Sequence, residues 1–292
     1  MTYFDGWKVW MKRGNKSRNT MDGYIRDVEQ FLMFLFGNTE DQTPYVYSTV
    51  DSDKAYEFLD KGNFGPATIG RKISSMRSFY SYLIKDKKII KENPFDGMVR
   101  PAVPKPRPKA LTETQTLNIL ANAYEKKYVA RNGMRDYALM MIFMTVPVRK
   151  SEIQDLCISD FTPEGMLIIR EAKGMKNREI PCTQEMIDAI QDYLDSRDDT
   201  CDYLFISEQM NRMSAHAIDN VIHKYADINP HALRSTSATN MHRNGIDVAT
   251  IKEIGGWDQG SNTFEKTYLK IDNRIKRSAV EESMRKMKEK RK

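Results

Sequence analysis

Residues 101–109 read PAVPKPRPK, four prolines and three bases in nine positions. Each proline fixes φ and removes a backbone donor, so neither a regular helix nor a central strand can run through the stretch. An extended, semi-rigid connector is the conformation left to it. A chain of 292 residues interrupted there has to build two cores, one on each side. The expected layout is an N-terminal domain over 1–100, a linker over 101–110 and a second domain over 111–292, with a tail at 275–292.

Ahead of the linker the hydrophobic spacing is helical. From Thr20 to Phe36 the apolar positions Met21, Tyr24, Ile25, Val28, Phe31, Leu32, Leu35 and Phe36 share one face, and Gly37 stops the run. A shorter helix is predicted over Asp53–Leu59 and another over Ala67–Ile84, buried through Ile69, Ile73, Met76, Tyr80 and Leu83. The opposite face of that last helix carries Arg71, Ser74, Ser75, Ser78 and Ser81. Small residues beside a base allow close approach to a phosphate backbone; an ordinary solvated face has the same pattern. Asn93-Pro94 closes the segment, and this unit reads as all-α.

Behind the linker, Thr112 is placed as an N-cap before a helix, and an apolar helix over Tyr137–Thr145 runs into Pro147, which must break or bend it. Arg149-Lys150-Ser151-Glu152-Ile153 follows as a new helix start. MLIIREAKGMKNREIP, residues 166–181, alternates like two strands about a turn, which predicts a β-hairpin with Lys173 and Lys176 at its tip. From Gln184 onward the chain is expected to be helical again, re-entering a helix after Asn229-Pro230. The fold class is therefore mainly α with a small β-sheet: an all-α domain followed by a mixed α/β domain.

The net charge of +6 is unevenly spread. Residues 1–110 hold 19 Lys+Arg against 13 Asp+Glu, and residues 275–292 hold eight bases against three acids, which leaves 111–274 net acidic. Basic ends around a balanced middle point to a polyanion, nucleic acid ahead of a membrane. The three cysteines, Cys157, Cys182 and Cys201, have no metal-ligand spacing and no disulfide pattern, which fits a reducing compartment. The N-terminus lacks the apolar core of a signal peptide, and no run approaches eighteen apolar residues. A cytoplasmic, nucleoid-associated protein is expected, with no membrane partner. No set of carboxylates stands out for metal-dependent phosphoryl chemistry, so neither metal nor cofactor is expected.

Chemistry concentrates in residues 229–270, NPHALRSTSATNMHRNGIDVATIKEIGGWDQGSNTFEKTYLK. On a helix His231 and Arg234 project to one face. A nitrogen donor and a fixed guanidinium suit a phosphate with developing charge. Tyr268 offers a phenolic oxygen that can form a covalent ester with phosphorus.

Taken in order, these pieces resemble the tyrosine recombinase (phage integrase) family, and the similarity spans nearly the whole chain. TMDGYIRDVEQFLMFL and ATIGRKISSMRSFYSYL resemble its SAM-like core-binding helices, and PKPRPKALTETQ its linker and the start of its catalytic domain. RDYALMMIFMTVPVRKSEIQDL resembles the helix pair with the first catalytic arginine, here Arg149, followed by Glu152. KGMKNREIP resembles the hairpin with the catalytic lysine, here Lys173. HALRSTSATNMHRNGID carries His231 and Arg234, and GGWDQGSNTFEKTY carries Trp257, where most members have histidine, and the nucleophile Tyr268. Three departures are visible: Trp257 replaces that histidine, Pro147 stands where glycine is usual, and the Trp257–Tyr268 spacing is two residues longer than the common pattern.

The resemblance implies a metal-independent enzyme that cleaves and rejoins DNA through a 3′-phosphotyrosine, as a homotetramer or dimer of dimers on its double-stranded recombination site. Free protein is expected as a monomer or weak oligomer. It implies Arg149 and Arg234 on the phosphate, Lys173 as acid to the leaving 5′-oxygen, His231 assisting, Trp257 positioning, and Glu152 anchoring Arg149 or His231. Arg71, Lys72, Arg77, Lys105, Arg107, Lys109 and Lys176 are the expected DNA contacts. In the tail, Ala279, Val280, Ser283, Met284 and Met287 form a narrow apolar stripe, which the resemblance assigns to docking on a neighbouring protomer. A cleavage-dead DNA-binding relative and a topoisomerase-like relaxation enzyme are the competing expectations.

Overall fold

The computed structural model describes residues 2–40, 44–102, 110–170 and 177–260, together with 280–281, 284–285 and 287–288. It divides into two compact units, Met1–Pro106 and Arg107–Lys292. Among the described residues no helix is long and apolar enough to cross a membrane.

The first unit contains α1 (Tyr3–Arg13), α2 (Arg18–Phe36), α3 (Pro44–Ser48), α4 (Ser52–Lys61) and α5 (Pro66–Lys85). Local chemistry sets the boundaries. Ser17 and Asp51 cap α2 and α4 by accepting from the backbone N–H groups of Thr20 and Lys54. Gly37, at φ 72°, turns the chain out of α2 in the left-handed region. Sequence reasoning left α1 out, although Phe4, Trp7 and Met11 recur at helical spacing and are buried. Trp7 meets Phe79 edge-on at 5.4 Å between centroids, and Phe31 meets Phe58 and Phe95, each at 5.2 Å. These rings form the centre of the core.

The serine face of α5 is not a solvent face. Ser75 is fully buried and donates to Asp27 Oδ2 at 2.8 Å, while Ser78 accepts from Trp7 Nε1 at 3.3 Å. Helix α5 is packed by α1 and α2, so its small residues admit neighbouring helices. This also corrects the expectation for Lys72. The residue is 1% exposed, with Nζ 3.1 Å from Asp27 Oδ1, a second hydrogen bond to Gln30, and the Phe64 ring centroid 4.3 Å away. An ammonium held there cannot reach a phosphate. Arg71 pairs with the same Asp27 and donates to the Gly23 carbonyl, yet stays half-exposed. Arg77 donates to the carbonyls of Phe95, Asp96 and Met98 and so fastens the segment after α5.

The second unit contains α6 (Glu113–Glu125), α7 (Gly133–Thr145), α8 (Lys150–Asp155), β1 (Met166–Ile169), β2 (Arg178–Pro181), α9 (Gln184–Asp195), α10 (Ala215–Tyr225), α11 (Pro230–Arg243) and α12 (Val248–Gly255). Thr112 caps α6 through a reciprocal pair with Gln115. Helix α7 is the axis: every residue from Ala138 to Met144 is buried, and α6, α9 and α11 pack on it. That accounts for its uniformly apolar sequence. The strands pair antiparallel, Met166 opposite Pro181 and Ile169 opposite Arg178, which turns Leu167, Ile169 and Ile180 into the core. The hairpin tip, with Lys173 and Lys176, lies outside the described residues.

One expectation fails between α9 and α10, where helix was predicted throughout. The chain there makes the isolated bridges Cys157–Tyr203 and Ile206–Arg212. Arg197 supports it by donating to the carbonyls of Cys201, Tyr203 and Leu204 while pairing with Asp199. A buried guanidinium satisfies the carbonyls that a helix would have satisfied internally.

Removing Asp27 should therefore strand the buried Lys72 charge. Asp27→Ala is predicted to destabilise the chain by about 3–5 kcal/mol in urea unfolding of the first unit. A loss below about 1 kcal/mol would mean that water compensates Lys72 and that the network is not a structural anchor.

Candidate active site

Helix α7 ends at Thr145; from extended Val146 the chain turns tightly about Pro147, the Val148 N–H donating to the Val146 carbonyl at 2.8 Å, and reaches Arg149, the N-cap of α8. Glu152, one turn into α8, reaches back to it. Its Oε2 accepts from the Arg149 backbone N–H at 2.7 Å and its Oε1 from Arg149 Nη1 at 2.5 Å. One carboxylate thus fixes both the main chain and the side chain of Arg149. Arg149 is 42% exposed by side chain, Glu152 only 8%. The anchor is buried and the guanidinium it holds is presented outward.

A third residue completes this junction. Arg178, at the start of β2, donates Nη2 to Glu152 Oε2 at 2.7 Å and Nη1 to Oε1 at 3.2 Å. Its Nε donates to the Ile254 carbonyl at the end of α12, 2.8 Å away. Sequence reasoning missed Arg178. The available signal was alternation: Arg178 and Ile180 fall on the same side of β2, so the arginine had to point inward.

The second arginine arrives from α11. Arg234 is 7% exposed and donates Nη1 to the Pro147 carbonyl at 2.6 Å and Nη2 to the Gly255 carbonyl at 2.7 Å. Arg149 Nη2 donates to the next carbonyl, that of Gly256, at 2.9 Å. Two guanidiniums therefore grip consecutive carbonyls of one corner. Gly256, at φ 66°, makes that corner, because a left-handed residue ends α12 with its carbonyl turned outward. Gly255 is required for another reason: a Cβ there would lie 1.9 Å from the Trp257 ring. That ring is stacked on Arg234, with the guanidinium carbon 3.9 Å from its centroid. The stack fixes the plane of the guanidinium. Pro147, the unusual residue at this turn, contributes an acceptor for Arg234 as well as a fixed φ.

Lys252 was also missed. It is 4% exposed, its Nζ donates to the Gln259 carbonyl at 3.1 Å, and its own carbonyl accepts the Trp257 N–H at 2.9 Å. It ties the segment after the corner back onto α12. Among the expected site residues, the structure brings together Arg149, Glu152, Arg234 and Trp257. The backbone of His231 lies in the first turn of α11, three residues before Arg234; its side chain is outside the described atoms. Lys173, Lys176, Tyr268, Lys105, Arg107 and Lys109 all lie outside the described residues. Two guanidiniums share the Glu152 carboxylate and a third, that of Arg234, sits on neighbouring carbonyls; among the described residues this leaves the cluster cationic, an arrangement suited to holding a phosphate with developing charge.

Comparison with known proteins identifies the family of both parts of the chain. Residues 109–290 match the model of the phage integrase family, and residues 7–87 match that of the phage integrase N-terminal SAM-like domain. The chain is 30% identical over 270 residues to the tyrosine recombinase XerC of Listeria welshimeri, covering 87% of this chain and 88% of that protein. It is 29% identical over 297 residues to the XerC of Caldanaerobacter subterraneus, covering 91% and 81%. A solved structure of the Tn1549 transposon integrase in complex with circular intermediate DNA superposes with a TM-score of 0.66 at 19% identity, covering 96% of this chain and 99% of that one.

Burial opposes the charge on Glu152, but hydrogen bonds from Arg178 and from the Arg149 N–H outweigh it and hold the carboxyl below its usual range. A carboxyl depressed on folding contributes stability in full above its unfolded pKa, about 4.3, and loses it as pH falls through the lower folded value. Glu152→Gln is therefore predicted to flatten the acid limb of stability below about pH 4.3. Urea unfolding of both proteins from neutral to acid pH checks this. Parallel curves would remove Glu152 from the account.

Proposed function

The chain belongs to the phage integrase family, and on that premise we propose that it is a site-specific tyrosine recombinase with Tyr268 as nucleophile. The observation that carries this is the pair of arginines, Arg149 and Arg234, anchored on adjacent carbonyls of one backbone corner. Forked cations fixed in this way suit the two non-bridging oxygens of a phosphodiester, whose charge grows during attack.

In the proposed reaction the Tyr268 oxygen attacks phosphorus and releases its proton to solvent, and the bond from phosphorus to the 5′-oxygen breaks. The products are a 3′-phosphotyrosine and a 5′-hydroxyl. Lys173 supplies the proton to the leaving oxygen, and His231 assists proton transfer or donates to the phosphate. Trp257 has an N–H donor and no exchangeable acid, so its part is to hold Arg234 in plane. Attack by the partner strand's 5′-hydroxyl reverses the chemistry and releases the tyrosine, so no external energy source is consumed.

The partner proposed is a double-stranded recombination site, in line with the named DNA complex of the Tn1549 integrase. Half-exposed Arg71, the linker bases Lys105, Arg107 and Lys109, and Lys176 are the proposed phosphate contacts in addition to the active-site arginines; Arg77 has its donors on carbonyls and Lys72 is interior. The proposed working form is a tetramer on two duplexes in the cytoplasm, associated with the nucleoid. The XerC relatives named above are recombinases, which favours strand exchange over site-independent relaxation. In the tail, Val280, Met284 and Met287 are 64%, 49% and 55% exposed at helical spacing. That stripe supports docking on a neighbouring protomer.

Two outcomes follow. On a nicked duplex carrying its own site, wild-type protein should become covalently attached to a 3′-phosphate through Tyr268, whereas Tyr268→Phe should bind equally well and form no adduct. Absence of the adduct from wild-type protein on a verified site would replace this proposal with the cleavage-dead relative. Deleting residues 279–292 should spare single-site binding and reduce cooperative assembly and strand exchange. Undiminished recombination by the truncated protein would remove the tail from assembly.

A further inference from the structure

We propose that Arg178 is a positioning residue for Arg149: it supplies the positive charge that lets Glu152 hold Arg149 without cancelling it. Glu152 by itself is an awkward anchor. A carboxylate at hydrogen-bond distance from Arg149 makes a couple of zero net charge, and it repels any phosphate that Arg149 is meant to attract. With Arg178 the three side chains Arg149, Glu152 and Arg178 together carry one net positive charge.

The geometry is specific to this role. Each Glu152 oxygen accepts one hydrogen bond from Arg149 and one from Arg178: Oε1 from the two Nη1 atoms at 2.5 and 3.2 Å, Oε2 from the Arg149 N–H and Arg178 Nη2, both at 2.7 Å. Four donors fill the acceptor sites of a carboxylate. Both Glu152 and Arg178 are 8% exposed by side chain, so their interaction is poorly screened, while Arg149 is 42% exposed. The excess charge is thus displayed on the side chain that solvent can reach. Among the described residues of α8 and α12, the other charged groups are turned elsewhere. On α8, Lys150 pairs with Asp219 and Asp155 with Arg212; on α12, Lys252 turns to the Gln259 carbonyl and Glu253 is exposed.

The assignment rests on the cleavage reaction proposed above and is tested on it. Single-turnover adduct formation on the nicked duplex is measured from pH 5.5 to 8 for wild type, Arg178→Met, Arg178→Lys and Glu152→Gln/Arg178→Met, with DNA affinity and thermal unfolding alongside. Arg178→Met should cleave about 10²-fold more slowly at pH 8 while binding DNA within about threefold of wild type. Its deficit should shrink as pH falls, because Glu152 without Arg178 takes up a proton more readily and stops opposing the phosphate. The double variant restores one net positive charge and should recover about tenfold or more over Arg178→Met. Arg178→Lys keeps the charge without the fork and should lose about tenfold or less.

A deficit that is flat with pH, together with a double variant no faster than Arg178→Met, makes Arg178 a structural strut and overturns the proposal. Should Arg178→Met fail to fold, the double variant decides, since it removes both buried charges together. Cleavage within about tenfold of wild type supports the proposal, and a loss of about 10² or more overturns it. If neither folds, Arg178→Lys decides by the same two limits. Wild-type protein that forms no adduct defeats the cleavage reaction itself, whereas a wild-type adduct with the flat deficit defeats only the role of Arg178.

Discussion

The second unit depends on one buried carboxylate. Glu152 sits where α8 begins, β2 starts and α12 ends, and it joins the three by accepting from Arg149 and Arg178 while Arg178 also reaches the Ile254 carbonyl. An ion in that position is tolerable only because two guanidiniums neutralise it and fill its acceptor sites. The surrounding apolar packing of α7 brings the elements close; the charged junction sets their register. A salt bridge of this kind is poor evidence for stability, and its value here is geometric. It decides where an exposed arginine points.

Burial of charge recurs in the first unit with a different outcome. Asp27 collects Arg71, Lys72 and Ser75 at the centre of a helical bundle, where nothing is presented outward except part of Arg71. The same chemical device therefore serves cohesion in one unit and display in the other. What separates them is exposure of the outermost cation.

Much of this was legible beforehand. Gly37, Thr112 and Pro147 marked element ends because each acts locally, through φ, a cap or a missing donor. The hairpin was visible because strand alternation is also local. The errors came from contacts between distant residues. Lys72 was expected on DNA and Ser75 on a face open to a phosphate backbone or to solvent, since the sequence holds no sign that Asp27, some 45 positions away, lies beneath them. Residues 196–214 looked helical because nothing marks Arg197 as the donor for their carbonyls. At the site, Arg149 and Arg234 were found through resemblance to a family, whereas Arg178 needed the strand face to be taken literally. Lys252 had no signal in the sequence beyond its place on a short amphipathic helix.

The corner at Gly255 and Gly256 has a consequence for how the site can change over evolutionary time. Both arginines are received there by main-chain carbonyls, which every residue type possesses. Point substitution cannot delete such an acceptor in the way that it deletes a carboxylate or an amide side chain. Mutation can act on these carbonyl contacts only by changing the path of the backbone, and the two glycines are the positions where the path is vulnerable, one by its left-handed φ and one by the indole lying against it. Sequence drift around residues 255–257 is thus filtered by shape and not by chemical function. Descendants that replace Trp257 with another flat donor can keep both arginines seated, whereas a single methyl group at Gly255 collides with the ring that holds one of them.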